Sequence, residues 1–197
     1  MATVGVANSL GQIADIETRM TRSVLSLCAG LAFLVLATGS EAETFSLATA
    51  GLRGAMCANP KSQTFEQAEI FGTFNLAWRW NWGSGWHVQT RLDAAGGALH
   101  GHSDDAFIGS AGPDFVLGHE RVPLNLEFGV SPTLLSHHEF GTMDFGTPLQ
   151  FTTHVGLNWE FSEHFGVGYR YQHMSNAGFS NHNPGLNLHG LMVYWRF

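Results

Sequence analysis

Cysteine is nearly absent. Two residues, Cys28 and Cys57, occur in a chain of 197, and Cys28 falls in a segment read below as removed. A single remaining thiol forms no internal disulfide, so cysteine frames nothing. Charged side chains are scarce too, at 13% of residues, and the formal net charge is −7. An acidic balance argues against a nucleic-acid partner. The apolar run from Val24 to Ala37 is too short for a membrane-spanning helix. No segment carries a convincing 3.6-residue period, which leaves little room for an amphipathic helical fold.

What is present begins with a targeting signature. Arg19 and Arg22 precede the apolar run, and "SEA" closes it at Ala42. A charged region, an apolar core and small residues at a cleavage site describe a secretory signal peptide. Residues 1–42 are therefore expected to be leader and signal, with Met20 an alternative start, and residues 43–197 to be the working domain. Glycine (24 residues) and aromatics (12%) are abundant. Many aromatics with few charges suit a surface that is not wholly wet.

Alternation dominates the rest. In "EIFGTFNLAWRWNW", Ile70, Gly72, Phe74, Leu76, Trp78, Trp80 and Trp82 share one parity, against Glu69, Thr73, Asn75, Arg79 and Asn81. In "VPLNLEFGV", Val122, Leu124, Leu126, Phe128 and Val130 alternate with Pro123, Asn125, Glu127 and Gly129. "FTTHVGLNWEF" repeats the pattern from Phe151 to Phe161. Period two over such lengths means strand. Eight strands are predicted, near 45–53, 65–82, 86–96, 104–118, 122–133, 148–161, 164–175 and 187–197. Their connections alternate between tight turns (83–85, 119–121, 162–164) and longer loops (54–64, 97–103, 134–147, 176–186). Outer-membrane barrels have short periplasmic turns and longer outside loops. The predicted fold is all-β, an eight-stranded antiparallel transmembrane barrel of the bacterial outer membrane, with both termini periplasmic.

The composition of the two faces decides which one meets lipid. Eight strands enclose a lumen just wide enough for side chains. Trp78, Trp80, Trp159 and the phenylalanines would overfill it, whereas Gly72, Gly156, Gly166, Gly168 and Asn158 fit. The apolar parity is therefore expected outside and the charges inside. Trp82 and Trp86 flank a tight turn, where an interfacial aromatic girdle belongs. The chain ends "LMVYWRF". A terminal aromatic, Phe197, resembles the sorting signal that presents barrels to the barrel assembly machinery.

Parity also carries an unusual set of side chains outward. On the seventh strand Phe165, Val167, Tyr169 and Tyr171 continue to His173 and Ser175, because residues two apart share a face. On the eighth, Phe197, Trp195, Val193 and Leu191 extend back to Asn187. A hydroxyl, an imidazole and an amide would then meet beside the lipid. A serine needs a base to take its proton, and the base needs an acceptor on its other nitrogen. Donors for an oxyanion are also required; Asn176 follows the serine, and a backbone N–H near Gly178 lies close. The same letters, "SNAG" and "NPG", are equally turn chemistry.

The segment "YRYQHMSNAGFSNHNPGLN" resembles the C-terminal signature of the lipid A 3-O-deacylase (PagL) family of outer-membrane acyl hydrolases. The close match covers roughly 166–197. The resemblance implies His173 as base, Ser175 as nucleophile, and Asn176 with Gly178 as oxyanion hole. Where the best-known members have a Glu as the triad acid, this chain has Asn187, and no Asp or Glu follows Glu163. The implied reaction removes an ester-linked 3-hydroxyacyl chain from lipid A, or lipopolysaccharide, in the outer leaflet. Tyr169 and Tyr171 would lie along the acyl chain, and no metal or cofactor is called for.

Three other readings stand beside it: an inactive barrel acting as adhesin or structural protein, a lipid A acyltransferase, and a soluble lipocalin-like barrel. Whether two barrels pair as a homodimer is left open. His100, His102, His137, His138 and His182 are expected as solvated loop histidines, and "GGALHG" as a flexible loop that does not fit nucleotide binding.

Overall fold

The computed structural model describes residues 41–42, 45–58 and 64–197. The expected signal segment, Cys28 and the proposed cleavage region around Glu43 fall largely outside the described residues. Among those described, eight long strands follow one another: β1 (Ser46–Cys57), β2 (Phe65–Trp82), β3 (Trp86–Gly101), β4 (Asp104–His119), β5 (Val122–Leu135), β6 (Leu149–Trp159), β7 (Phe165–Ser175) and β8 (Leu186–Arg196). Each pairs antiparallel with its neighbour in sequence, and β8 pairs with β1. The sheet is closed, so it has no edge to leave unpaired in lipid.

The faces divide as alternation predicts. Leu52, Ile70, Phe107, Leu157, Val193 and Trp195 point outward and exposed, whereas Arg53, Glu69, Asp93, Asp114, Glu127 and Arg170 are buried in the lumen. Arg170 anchors the charges there. It donates through Nη2 to Asp93 Oδ2 at 2.7 Å and through Nε to Glu127 Oε1 at 3.0 Å. Arg53 reaches Glu69 at 2.8 Å and the same Asp93 oxygen at 3.2 Å. Asn158 Nδ2 donates to Glu127 Oε2 at 2.6 Å, and His154 Nε2 lies 3.0 Å from Asp114 Oδ1. Small residues make room. A Cβ on Gly166 would stand 2.3 Å from Tyr194 Cζ, and one on Gly168 2.2 Å from Asn158 Oδ1.

Some expectations need correction. Gly72, assigned to the lumen, stands beside the outward Phe74 ring, so it faces out. The loop expected at 97–103 is strand almost to its end, and only His102 and Ser103 turn the chain between β3 and β4. In "AAGGALHG" small residues occupy both faces, so alternation lost its contrast. Gly97 is there for close packing, not flexibility: a Cβ on it would lie 1.9 Å from the Ala68 carbonyl oxygen. β2 also carries a bulge between Asn75 and Arg79. Gln89 Nε2 donates to Leu76 O at 3.0 Å and Thr90 Oγ1 to Trp78 O at 2.8 Å, satisfying carbonyls the bulge turns aside.

The loop end of the barrel is plugged. Phe65, Leu99, Ile108, Leu135, Met174 and Leu188 form a buried cluster with Phe140 and Phe145. The last two come from the β5–β6 connection, where Glu139–Phe140 and Met143–Asp144 make a two-residue hairpin. This connection folds over the lumen and gives the neighbouring 176–185 loop something to bind.

Candidate active site

Hairpin register sets the first contact. β7 and β8 pair so that His173 stands opposite Asn187, and both belong to the outward-facing series. Their side chains meet, His173 Nδ1 lying 2.7 Å from Asn187 Oδ1. With the amide oxygen as acceptor, Nδ1 carries the proton and Nε2 keeps its lone pair. Ser175 ends β7 two residues further on, on the same face, opposite Phe151 of β6. The expected imidazole and amide thus touch, and the hydroxyl follows on the same side.

Gly185 closes over the imidazole. It takes φ +65°, and a Cβ there would lie 3.0 Å from His173 Cε1. Both features call for glycine: positive φ is strained for other residues, and the ring leaves no space.

Asn176 turns the other way and is fully buried. Its side chain ties the loops together, Nδ2 donating to Phe145 O at 2.8 Å and His182 O at 2.6 Å. Its Oδ1 accepts from Gly178 N–H at 2.9 Å. The backbone N–H of Asn176 donates to Asn183 Oδ1 at 3.1 Å. Both N–H groups expected to face an oxyanion are therefore engaged within the loop. Asn183 was missed in the sequence because it sits in a turn, where no periodicity marks it.

On the outer wall, Tyr169 is exposed and Tyr171 half-buried. They share an unanticipated companion. The Tyr169 hydroxyl is hydrogen-bonded to His189 Nδ1, and the Tyr171 and His189 ring centroids are 5.2 Å apart. Phe179, on the 176–185 loop, is exposed and lies 5.8 Å from the Phe151 ring.

Of the loop histidines, His100 pairs with Asp105 at 2.7 Å and His138 with Asp144 at 2.8 Å. His138, Glu139 and Asp144 bring donor atoms within 4.8 Å of one another on the hairpin. The Gly146 N–H, and after it His138, hold the Asp144 carboxyl below its usual range.

A family model described as lipid A 3-O-deacylase (PagL) matches residues 67–196, from β2 through β8. The lipid A deacylase PagL of Bordetella bronchiseptica is 35% identical over 72 residues, which are 36% of this chain and 40% of that protein. The aligned stretch thus spans well under half of that relative. The crystal structure of the outer membrane enzyme PagL superposes with a TM-score of 0.62 at 21% identity, covering 75% of this chain and all of that one. At that identity the likeness speaks for the fold alone, a closed eight-stranded barrel. The family match spans most of the chain and nearly the whole barrel: the chain belongs to the lipid A 3-O-deacylase (PagL) family.

Proposed function

We propose that this barrel is a serine esterase that removes an ester-linked 3-hydroxyacyl chain from lipid A in the outer leaflet. The observation that carries the reading is the 2.7 Å contact of His173 Nδ1 with Asn187 Oδ1 on the lipid-facing wall. A bond there orients an imidazole so that its free Nε2 acts as base toward Ser175.

The steps balance simply. Ser175 Oγ attacks the ester carbonyl as its proton passes to His173 Nε2. The tetrahedral intermediate collapses, and the imidazolium returns that proton to the departing sugar oxygen. Water then attacks the acyl-Ser175 ester by the same route and releases a 3-hydroxy fatty acid. As charge grows on the carbonyl oxygen, it competes with Asn183 Oδ1 for the Asn176 N–H and with Asn176 Oδ1 for the Gly178 N–H. Because each donor must first leave its loop partner, the gain falls below the roughly 10²–10³ that a preorganised donor supplies.

The location suits the substrate. Each buried CH₂ holds a lipid in the leaflet by about 0.8 kcal/mol, so a molecule with several acyl chains is costly to extract. A nucleophile on the barrel wall reaches the ester without extraction. Tyr171 and Tyr169 offer a surface for the chain, and Phe151 with Phe179 an apolar shoulder beside Ser175. Removal of the leader ahead of residue 43 and recognition of Phe197 by the assembly machinery complete the reading.

A fluorophosphonate probe tests it on the purified protein in detergent. Labelling should fall on the peptide containing Ser175 and disappear in His173→Ala. Labelling elsewhere, or labelling indifferent to His173, overturns the assignment and favours an inactive barrel.

A further inference from the structure

The outward column of β7 and β8 does not become apolar directly below His173 and Asn187. The next rung pairs Tyr171 with His189, and Tyr169 leans up from below to bond His189 Nδ1. Two residues of strand separate these rungs, about 7 Å. His189 lies three residues from the outer end of β8, which places it roughly 8 Å below that end in a barrel tilted near 40°. Ester and amide groups join the acyl chains of such a lipid to its sugars, so carbonyl and hydroxyl acceptors accompany the chains into the upper leaflet.

The pair has an unspent donor. Tyr169 brings one O–H and a neutral imidazole one N–H. Their mutual bond uses one of the two, whichever tautomer holds. The other has no hydrogen-bond partner among the described residues and belongs to an exposed pair on the outer wall, where leaving it unmatched is costly. A lipid carbonyl or hydroxyl supplies the acceptor.

Beside the pair opens a groove of about 670 Å³ on the outer wall across β8, β1, β2 and β3. Gly54, Ala68 and Ala98 form its shallow floor and Met56 and Leu191 stand along it. Met56 is the β1 partner of His189, so the polar pair and the apolar groove adjoin. Glu66 and His100 line it as well, further toward the loop end of the barrel.

We infer that Tyr169 and His189 form a second acyl subsite: they bind the linkage carbonyl or hydroxyl of a neighbouring chain on the same lipid, and the groove receives that chain's hydrocarbon. This rests on the proposed deacylase reading and extends it from a reacting chain to recognition of a multiply acylated lipid.

The test uses full-length barrel in detergent, with His189→Leu and His189→Phe. Neither change puts new polarity into the wall. KM is measured on hexa-acylated lipid A and on a single-chain 3-hydroxyacyl ester. The ratio of the two KM values should rise about five- to tenfold in each variant, the size of one hydrogen bond, with kcat on lipid A much less affected. An unchanged ratio overturns the subsite. Binding of lipid A to Ser175→Ala, with and without His189→Leu, is read separately by native mass spectrometry. Weaker binding in the double variant supports the subsite even where no hydrolysis is found, and equal binding overturns it.

Discussion

Asn187 holds the imidazole of His173 but brings no charge to an imidazolium. That difference has a size. Replacing the acid by its amide in a serine-protease triad costs about 10⁴ in rate, largely through the wrong tautomer. Here the amide oxygen faces Nδ1 at 2.7 Å, which keeps the useful tautomer. Asn187→Glu should therefore raise kcat by about tenfold or more, well short of the 10⁴ ceiling. Asn187→Leu, which removes the acceptor, should lower kcat by a similar factor. Steady-state hydrolysis of a 3-hydroxyacyl ester checks both, and a rate indifferent to residue 187 would remove it from the site. Gly185→Ala places a Cβ 3.0 Å from the His173 ring at φ +65°. It should cost about 1 kcal/mol of stability and lower kcat more than it changes KM.

At the scale of elements, the 176–185 loop is held to the β5–β6 connection by one buried amide. Asn176→Ala leaves the Phe145 and His182 carbonyls and the Gly178 N–H without their partner. Each buried group left so costs about 1–3 kcal/mol. Limited proteolysis should then cut the 176–185 loop while the barrel still resists heat and detergent. The hairpin adds a pH dependence of defined sign. Asp144 has a folded-state pKa below its unfolded one, through the Gly146 N–H and His138. Its contribution is full above the unfolded value and is lost as pH falls through the folded value. Protection of the Gly146 amide from exchange should persist through neutral and mildly acidic pH and vanish in strong acid, whereas Asp144→Asn should flatten that dependence.

Strands were legible where their two faces differ in chemistry, as in β2, β5 and β6. They were misjudged where both faces are small: β1 runs on to Cys57 and β3 to Gly101, past the ends that alternation marked. His173, Ser175 and Asn187 were legible because counting by twos carried them outward. His189 lies on the same count, but the eighth-strand reading ran through apolar residues to Asn187 and passed over it. Asn183 and the inward turn of Asn176 depend on loop geometry, which has no period to read.

Across the whole molecule, the lumen is a charge network and the exterior a hydrocarbon surface. Arg170 donates to both Asp93 and Glu127, so Arg170→Leu leaves two buried carboxylates short of a partner. Breaking a buried pair costs about 3–5 kcal/mol, and the urea midpoint for unfolding from detergent should drop accordingly. The same architecture ends the seventh strand at Ser175 on the outward face, and lipid A from intact cells reports most directly on the chemistry proposed there. Mass spectra are compared for cells with wild-type protein, with Ser175→Ala, and with none. The account predicts loss of one ester-linked 3-hydroxyacyl mass with the wild type, and identical spectra for the other two. Three identical spectra, or the same loss with Ser175→Ala, would contradict it.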